Sequence, residues 1–157
     1  MNQELDTLAR RLQEILREKS YTIACAESLT AGLVCATLCD IAELRRGCRG
    51  SHHLPDQYEK RSLGVSRPPT RNWSRRSSGG RSNGTGAAKL FSADVALATT
   101  GVAGPGSQDG HSAGKVFISV ATPAGGATTE LSLSGDRNQI RLQTVAAVLQ
   151  LAIEALS

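Results

Sequence analysis

Aromatic residues are scarce in this chain: one Trp, two Tyr and two Phe among 157 positions, or 3%. A surface that stacks on single-stranded bases needs several such rings interleaved with its basic residues, so the scarcity argues against that class of nucleic-acid module. The four cysteines, Cys25, Cys35, Cys39 and Cys48, form no C-x-x-C pair, and no histidine stands at metal-ligand spacing from them. They read as small residues of a reducing compartment, and neither zinc nor a disulfide framework is implied. No apolar run is long enough to cross a bilayer. Met1 to Lys19 mixes acidic and basic residues with no apolar stretch of the secretory kind, so the sequence predicts a soluble, cytoplasmic protein without membrane contact.

The net charge of +4 is unevenly placed. Residues 45–86 hold nine of the fourteen arginines plus Lys60, against only Asp56 and Glu59, so this segment carries +8 and the remainder −4. Outside the basic segment the sequence is that of a mildly acidic globular domain, of a length suited to one core.

Leu5, Leu8, Ala9, Leu12, Ile15 and Leu16 recur at helical spacing, which predicts an amphipathic helix over residues 2–19. Thr22–Ala26 reads as a buried strand, and a second helix is expected from near Thr30 to about Cys39. Between Arg45 and Gly86 neither a period of two nor one of 3.6 persists, and Arg, Ser, Gly and Pro dominate. Order returns with Val95–Thr99, a continuous apolar run suited to a strand buried on both faces. Val116–Ala121 and Thr128–Leu133 read as further strands, with Gly125 and Gly126 expected to form the hairpin turn. Asp136 and Gln139 make a D-x-x-Q capping box for a last helix whose predicted apolar stripe is Leu142, Val145, Ala146, Leu149, Ile153 and Leu156. This order predicts a single α/β domain spanning 1–157, a three-layer α/β/α sandwich around a mixed, mostly parallel sheet.

In such sheets ligands gather outside the carboxyl ends of the strands. Two turns follow strands here: Ala26-Glu27-Ser28-Leu29-Thr30-Ala31-Gly32, and Thr100-Gly101-Val102-Ala103-Gly104-Pro105-Gly106. The first offers hydroxyls and unpaired amides at one spot, with Ser28 at its centre, although helix capping alone accounts for Ser and Thr before a helix. The second lets backbone amides approach a phosphate, or simply makes a tight turn. Arg137 and Arg141 stand in the first turn of the last helix, against its dipole, a placement that favours a nearby anion or carboxylate.

Taken together, A-E-S-x-T-x-G at Ala26–Gly32, T-G-V-A-G-P-G at Thr100–Gly106 and G-D-R-x-x-I-R at Gly135–Arg141 resemble the CinA C-terminal domain family. That family includes the bacterial nicotinamide-nucleotide amidases of the PncC type. The resemblance covers residues 1–42 and 86–157. It implies an α/β/α fold and hydrolysis of the carboxamide of nicotinamide mononucleotide to nicotinic acid mononucleotide and ammonia, a step of pyridine nucleotide salvage. It implies Ser28 as nucleophile with Thr30 in the catalytic set. Glu27, Gly32, Thr100, Gly101, Gly104, Gly106, Arg137 and Arg141 are then expected around a small nucleotide substrate. No cofactor or metal is implied, nucleic acid is not an expected partner, and homo-oligomerisation stays open. Two departures are visible: Leu29 stands where the family usually has Cys, and Ala31 where it has Gly.

The family's lysine base, from a V-x-T-Y-x-x-x-x-K stretch, is missing from the basic segment. Residues from about Glu43 to Thr85, inside the anomalous Arg/Ser-rich stretch 43–86, read as a translation displaced by one base. The codons from Ser51 to Lys60, read one base later, permit V-I-T-Y-x-T-S-T-K, so Tyr58 and Lys60 are given no catalytic role. A tryptic map returning that peptide would restore the lysine, and peptides matching the Arg-rich text would mean that the base is absent. A chain without the base reads instead as a nucleotide-binding relative that does no chemistry.

Overall fold

We describe residues 3–41, 48–52, 92–107 and 111–157 of a computed structural model of the chain. The first helix, α1 (Gln3–Glu18), forms where expected. Its apolar positions repeat along one face, so Leu5, Ala9, Leu12, Ile15 and Leu16 are buried together while the arginines face water. The next element, β1 (Ile23–Glu27), is buried along its whole length. The second helix, α2 (Leu33–Cys39), is followed by the short strand β2 (Cys48–His52).

The sheet continues with β3 (Val95–Gly101), β4 (Lys115–Thr122) and β5 (Gly125–Ser132). The last helix is α3 (Arg137–Leu156). The strand order is β2-β1-β3-β4-β5. Both neighbours of β1 run parallel to it, whereas β3 with β4 and β4 with β5 are antiparallel. Only β4 therefore runs against the others among the described strands, and the fold is α/β around a mixed, mostly parallel sheet.

All three described helices lie against one face of this sheet. There α1 packs on α2 and α3, and α3 also covers β4 and β3. The core between them is built of large aliphatics, among them Leu12, Leu16, Ile23, Leu97, Val116, Ile118 and Leu149. The other face is lined by Ala24, Ala26, Ala96, Ala98 and Ala121, also buried. The helix layer expected over that face falls outside the described residues.

Several expectations shift. β2 supplies a parallel strand inside the basic segment, where no regular period was read, and its last residue, His52, stands level with Glu27. The rest of 43–86, including most of the stretch expected to be frame-displaced, lies outside the described residues. The β4–β5 hairpin turns at Pro123 and Ala124, and Gly125 and Gly126 open β5 instead of forming the turn. Gly126 answers to packing within the hairpin, where a side chain would meet the Val120 carbonyl oxygen at 2.8 Å. On α3 the buried stripe is Ile140, Thr144, Val145, Val148, Leu149, Ala152 and Leu156, so Leu142, Ala146 and Ile153 sit at its half-buried margin. The Asp136–Gln139 capping box is present.

Candidate functional site at the carboxyl end of β1 and β3

Because β1 and β3 are parallel and Glu27 stands level with Thr99, the segments that follow both strands emerge at the same end of the sheet. The turn after β1 carries Ser28. Its amide donates to the Thr99 carbonyl at 3.1 Å, and its own carbonyl accepts from Ala31 at 3.1 Å, which closes a tight turn. The side chain is half-buried, and no described residue hydrogen-bonds the hydroxyl.

Neither Ser28 nor Thr30 caps the helix that follows. Helix α2 begins at Leu33, three residues after the expected start, because Ala31 (φ 51°) and Gly32 (φ 89°) both adopt the left-handed conformation. Gly32 is the N-cap and offers no side chain. The capping falls to Glu27, 7% exposed, whose carboxylate oxygens accept from the Val34 amide at 3.0 Å and the Cys35 amide at 2.9 Å. A carboxylate spanning the first amides of a helix satisfies orphan donors and complements the dipole, so Glu27 fixes the geometry of the turn, with both oxygens engaged on α2.

Thr30, expected in the catalytic set, is fully buried at 0% exposure. Its hydroxyl lies 2.6 Å from that of Thr99, itself 2% exposed. Its carbonyl accepts from the Leu33 amide and from Arg141, whose Nη2 approaches to 2.7 Å. The Thr30 side chain is therefore engaged with the sheet. Among the described residues, the amides of Leu29, Thr30 and Gly32 meet no acceptor.

The second turn is held differently. Thr100 is buried on β3, and strand alternation places it on the alanine face, opposite to Thr99. At Gly101 a side chain would run into the Lys115 carbonyl oxygen at 2.5 Å and the Val116 Cα at 2.7 Å, so close passage of β4 demands glycine there. Val102 then donates to the Lys115 carbonyl and accepts from the Gly114 amide, tying the turn to β4 through backbone. Gly104 is half-exposed and Gly106 exposed at its outer end. Arg137 donates to the Gly104 carbonyl.

Arg137 and Arg141, placed on sequence grounds beside an anion, thus each have a carbonyl partner in one of the two turns. That contact accounts for their position at the start of α3. Each guanidinium keeps donors beyond the one so used, and Arg141 Nε is buried without a partner among the described residues. Thr99 is the residue of the site that the sequence reading passed over. As the last position of an apolar run it read as core, and its adjacency to the T-G-V-A-G turn was the available signal. At the opposite end of the same strands, Thr22 and Asp94 bond reciprocally: the Thr22 amide and hydroxyl donate to Asp94 Oδ2, each at 2.8 Å.

A model of the CinA C-terminal domain matches residues 5–156. The chain belongs to the CinA C-terminal domain family. A Shouchella clausii protein named as competence-damage inducible is 36% identical over 147 residues, which cover 88% of this chain and 34% of that protein. The chain thus spans about a third of the length of the curated relatives it matches. Among solved structures, a competence or damage-inducible protein from Enterobacter asburiae superimposes with a TM-score of 0.88 at 27% identity, covering 98% of each chain. A CinA superfamily protein from Klebsiella pneumoniae gives 0.87 at 27% identity, covering 97% of each. The two turns and the α3 arginines are thus elements of a CinA C-terminal domain. No helix among the described residues is long and apolar enough to cross a membrane.

Proposed function

We propose that this CinA C-terminal domain hydrolyses the carboxamide of nicotinamide mononucleotide with Ser28 as nucleophile. The observation that carries the reading is the position of Ser28. Its half-buried hydroxyl, unengaged by any described residue, stands at the strand end where two turns and two arginines meet. The Ser28 oxygen attacks the carboxamide carbon, forming an ester as the C–N bond breaks and ammonia departs. Water then cleaves the ester, leaving nicotinic acid mononucleotide and the restored serine.

We assign the Leu29 amide to the oxyanion, since it immediately follows the nucleophile and has no acceptor among the described residues. Arg137, Arg141 and the outer glycines of the second turn are assigned to the nucleotide phosphate. In the family that the resemblance points to, a lysine between α2 and β3 takes the serine proton, and the V-x-T-Y-x-x-x-x-K stretch that carries it is permitted here only in the displaced frame. Incubation with nicotinamide mononucleotide should release ammonia and nicotinic acid mononucleotide in equal amounts, and free nicotinamide, lacking the phosphate, should be a much poorer substrate.

A second reading, a relative that binds the nucleotide without turnover, is favoured by the missing lysine stretch and by the turn itself. Ala31 occupies a left-handed position in the turn that must present the oxyanion amide. Saturable binding of nicotinamide mononucleotide without ammonia release would select it.

A further inference from the structure

We infer that Thr99 is a positioning residue for Ser28, acting through the buried hydroxyl pair it forms with Thr30; this rests on the amidase reading given above. Thr99 holds the nucleophile turn at two points. Its carbonyl accepts from the Ser28 amide at 3.1 Å, and its hydroxyl meets that of Thr30 at 2.6 Å. One strand residue therefore fixes both flanks of Leu29, and with them the amide assigned to the oxyanion.

The Thr30 carbonyl is fixed in turn by Arg141 at 2.7 Å, so position 30 is tied on one side to β3 and on the other to α3. Both hydroxyls are essentially inaccessible to water, at 0% and 2% exposure, so neither can exchange its partner for solvent. The backbone bond from Ser28 survives substitution of the Thr99 side chain. The hydroxyl pair is the part that substitution can remove.

Such a pair has a property that separates positioning from packing. Replacing one buried hydroxyl by a methyl group strands the other, whereas replacing both by groups of the same shape is close to neutral for stability. Thr99→Val and Thr30→Val should each lower the melting temperature, and the double variant should recover most of that loss. Turnover behaves differently. With no bond between positions 30 and 99, the turn loses its side-chain register, so kcat should stay depressed in the double variant, roughly tenfold to a hundredfold, with KM little changed. Thr99→Ser keeps the hydroxyl and should retain wild-type kcat within about twofold of the parent, the scale of a mutation that leaves positioning intact.

The experiment measures kcat and KM for nicotinamide mononucleotide, melting temperature, and amide hydrogen exchange at Ser28, Ala31 and Leu33, for the wild type, the three single variants and the double variant. Faster exchange at those amides in the double variant, with the melting temperature recovered and kcat still low, is the expected result. Recovery of both kcat and stability would reduce the pair to packing and overturn the inference. Wild-type protein that releases no ammonia would remove the amidase reading alone. The exchange data would then decide whether Thr99 clamps the turn, and unchanged exchange in the double variant would overturn that as well.

Discussion

The two turns at the carboxyl end of the sheet are both tethered by an arginine of α3, yet they are built on opposite terms. The turn after β1 is held by the buried side chains of Glu27 on α2 and Thr30 on Thr99, and by the half-buried Arg141 on the Thr30 carbonyl. The turn after β3 is held by backbone bonds to β4, has glycines at its outer end, and meets Arg137 at the surface. Side chains committed in the interior leave a turn few ways to rearrange. Backbone bonds under an exposed, glycine-rich crest leave its amides facing solvent. The first construction suits a nucleophile that must be placed accurately, and the second suits a phosphate whose many oxygens accept donors from several directions.

Severing the arginine tethers tests that contrast. Arg141→Ala should destabilise the protein by about 2 kcal/mol in urea titrations, because it removes a charged hydrogen bond from the buried Thr30 carbonyl. Arg137→Ala, at the exposed turn, should cost less than about 1 kcal/mol in the same titration. Equal losses would mean that the two turns are held alike. Ala31→Gly is expected to stabilise by about 0.5 kcal/mol, since glycine adopts the left-handed conformation without the penalty of a side chain, and part of that gain is lost to the freer unfolded chain. A loss of stability would show that the Ala31 methyl contributes packing to the turn.

The smallest effect is expected at the far end of the strands. The Thr22 amide, and then its hydroxyl, hold the Asp94 carboxyl below its ordinary value of 3.8. Since the folded value is the lower one, the contribution is complete above that ordinary value and is lost as pH falls through the folded one. Asp94→Asn should therefore slightly flatten the acid limb of the stability profile while leaving turnover at neutral pH unchanged. A shift in turnover would show that the two ends of β1 are coupled.

What was legible in the sequence followed from periodicity and from short-range chemistry. The amphipathic α1, the apolar β3 and the Asp136–Gln139 box are all present as read, because each depends on residues within a turn or two of one another. The start of α2 was misplaced because Ser and Thr before a helix look like caps. Here a glutamate on the preceding strand reaches forward seven residues to do the capping, leaving Ser28 outside the helix. Thr99 was missed for a related reason. Its partner is 69 residues away in sequence, and nothing local separates a buried hydroxyl with a partner from another core position. The arginines were found, but the carbonyls they hold were visible only once the turns had been placed in space.

The central claim, that Ser28 performs amide hydrolysis, is tested most directly by ammonia release from nicotinamide mononucleotide in wild type and Ser28→Ala, with melting temperatures measured alongside. Because no described residue hydrogen-bonds the Ser28 hydroxyl, the variant should fold as the wild type does. Its turnover should fall by at least about a thousandfold, as expected when a nucleophile is removed from an otherwise intact site. Ammonia release by Ser28→Ala at a rate near that of the wild type would contradict the assignment of Ser28 as nucleophile.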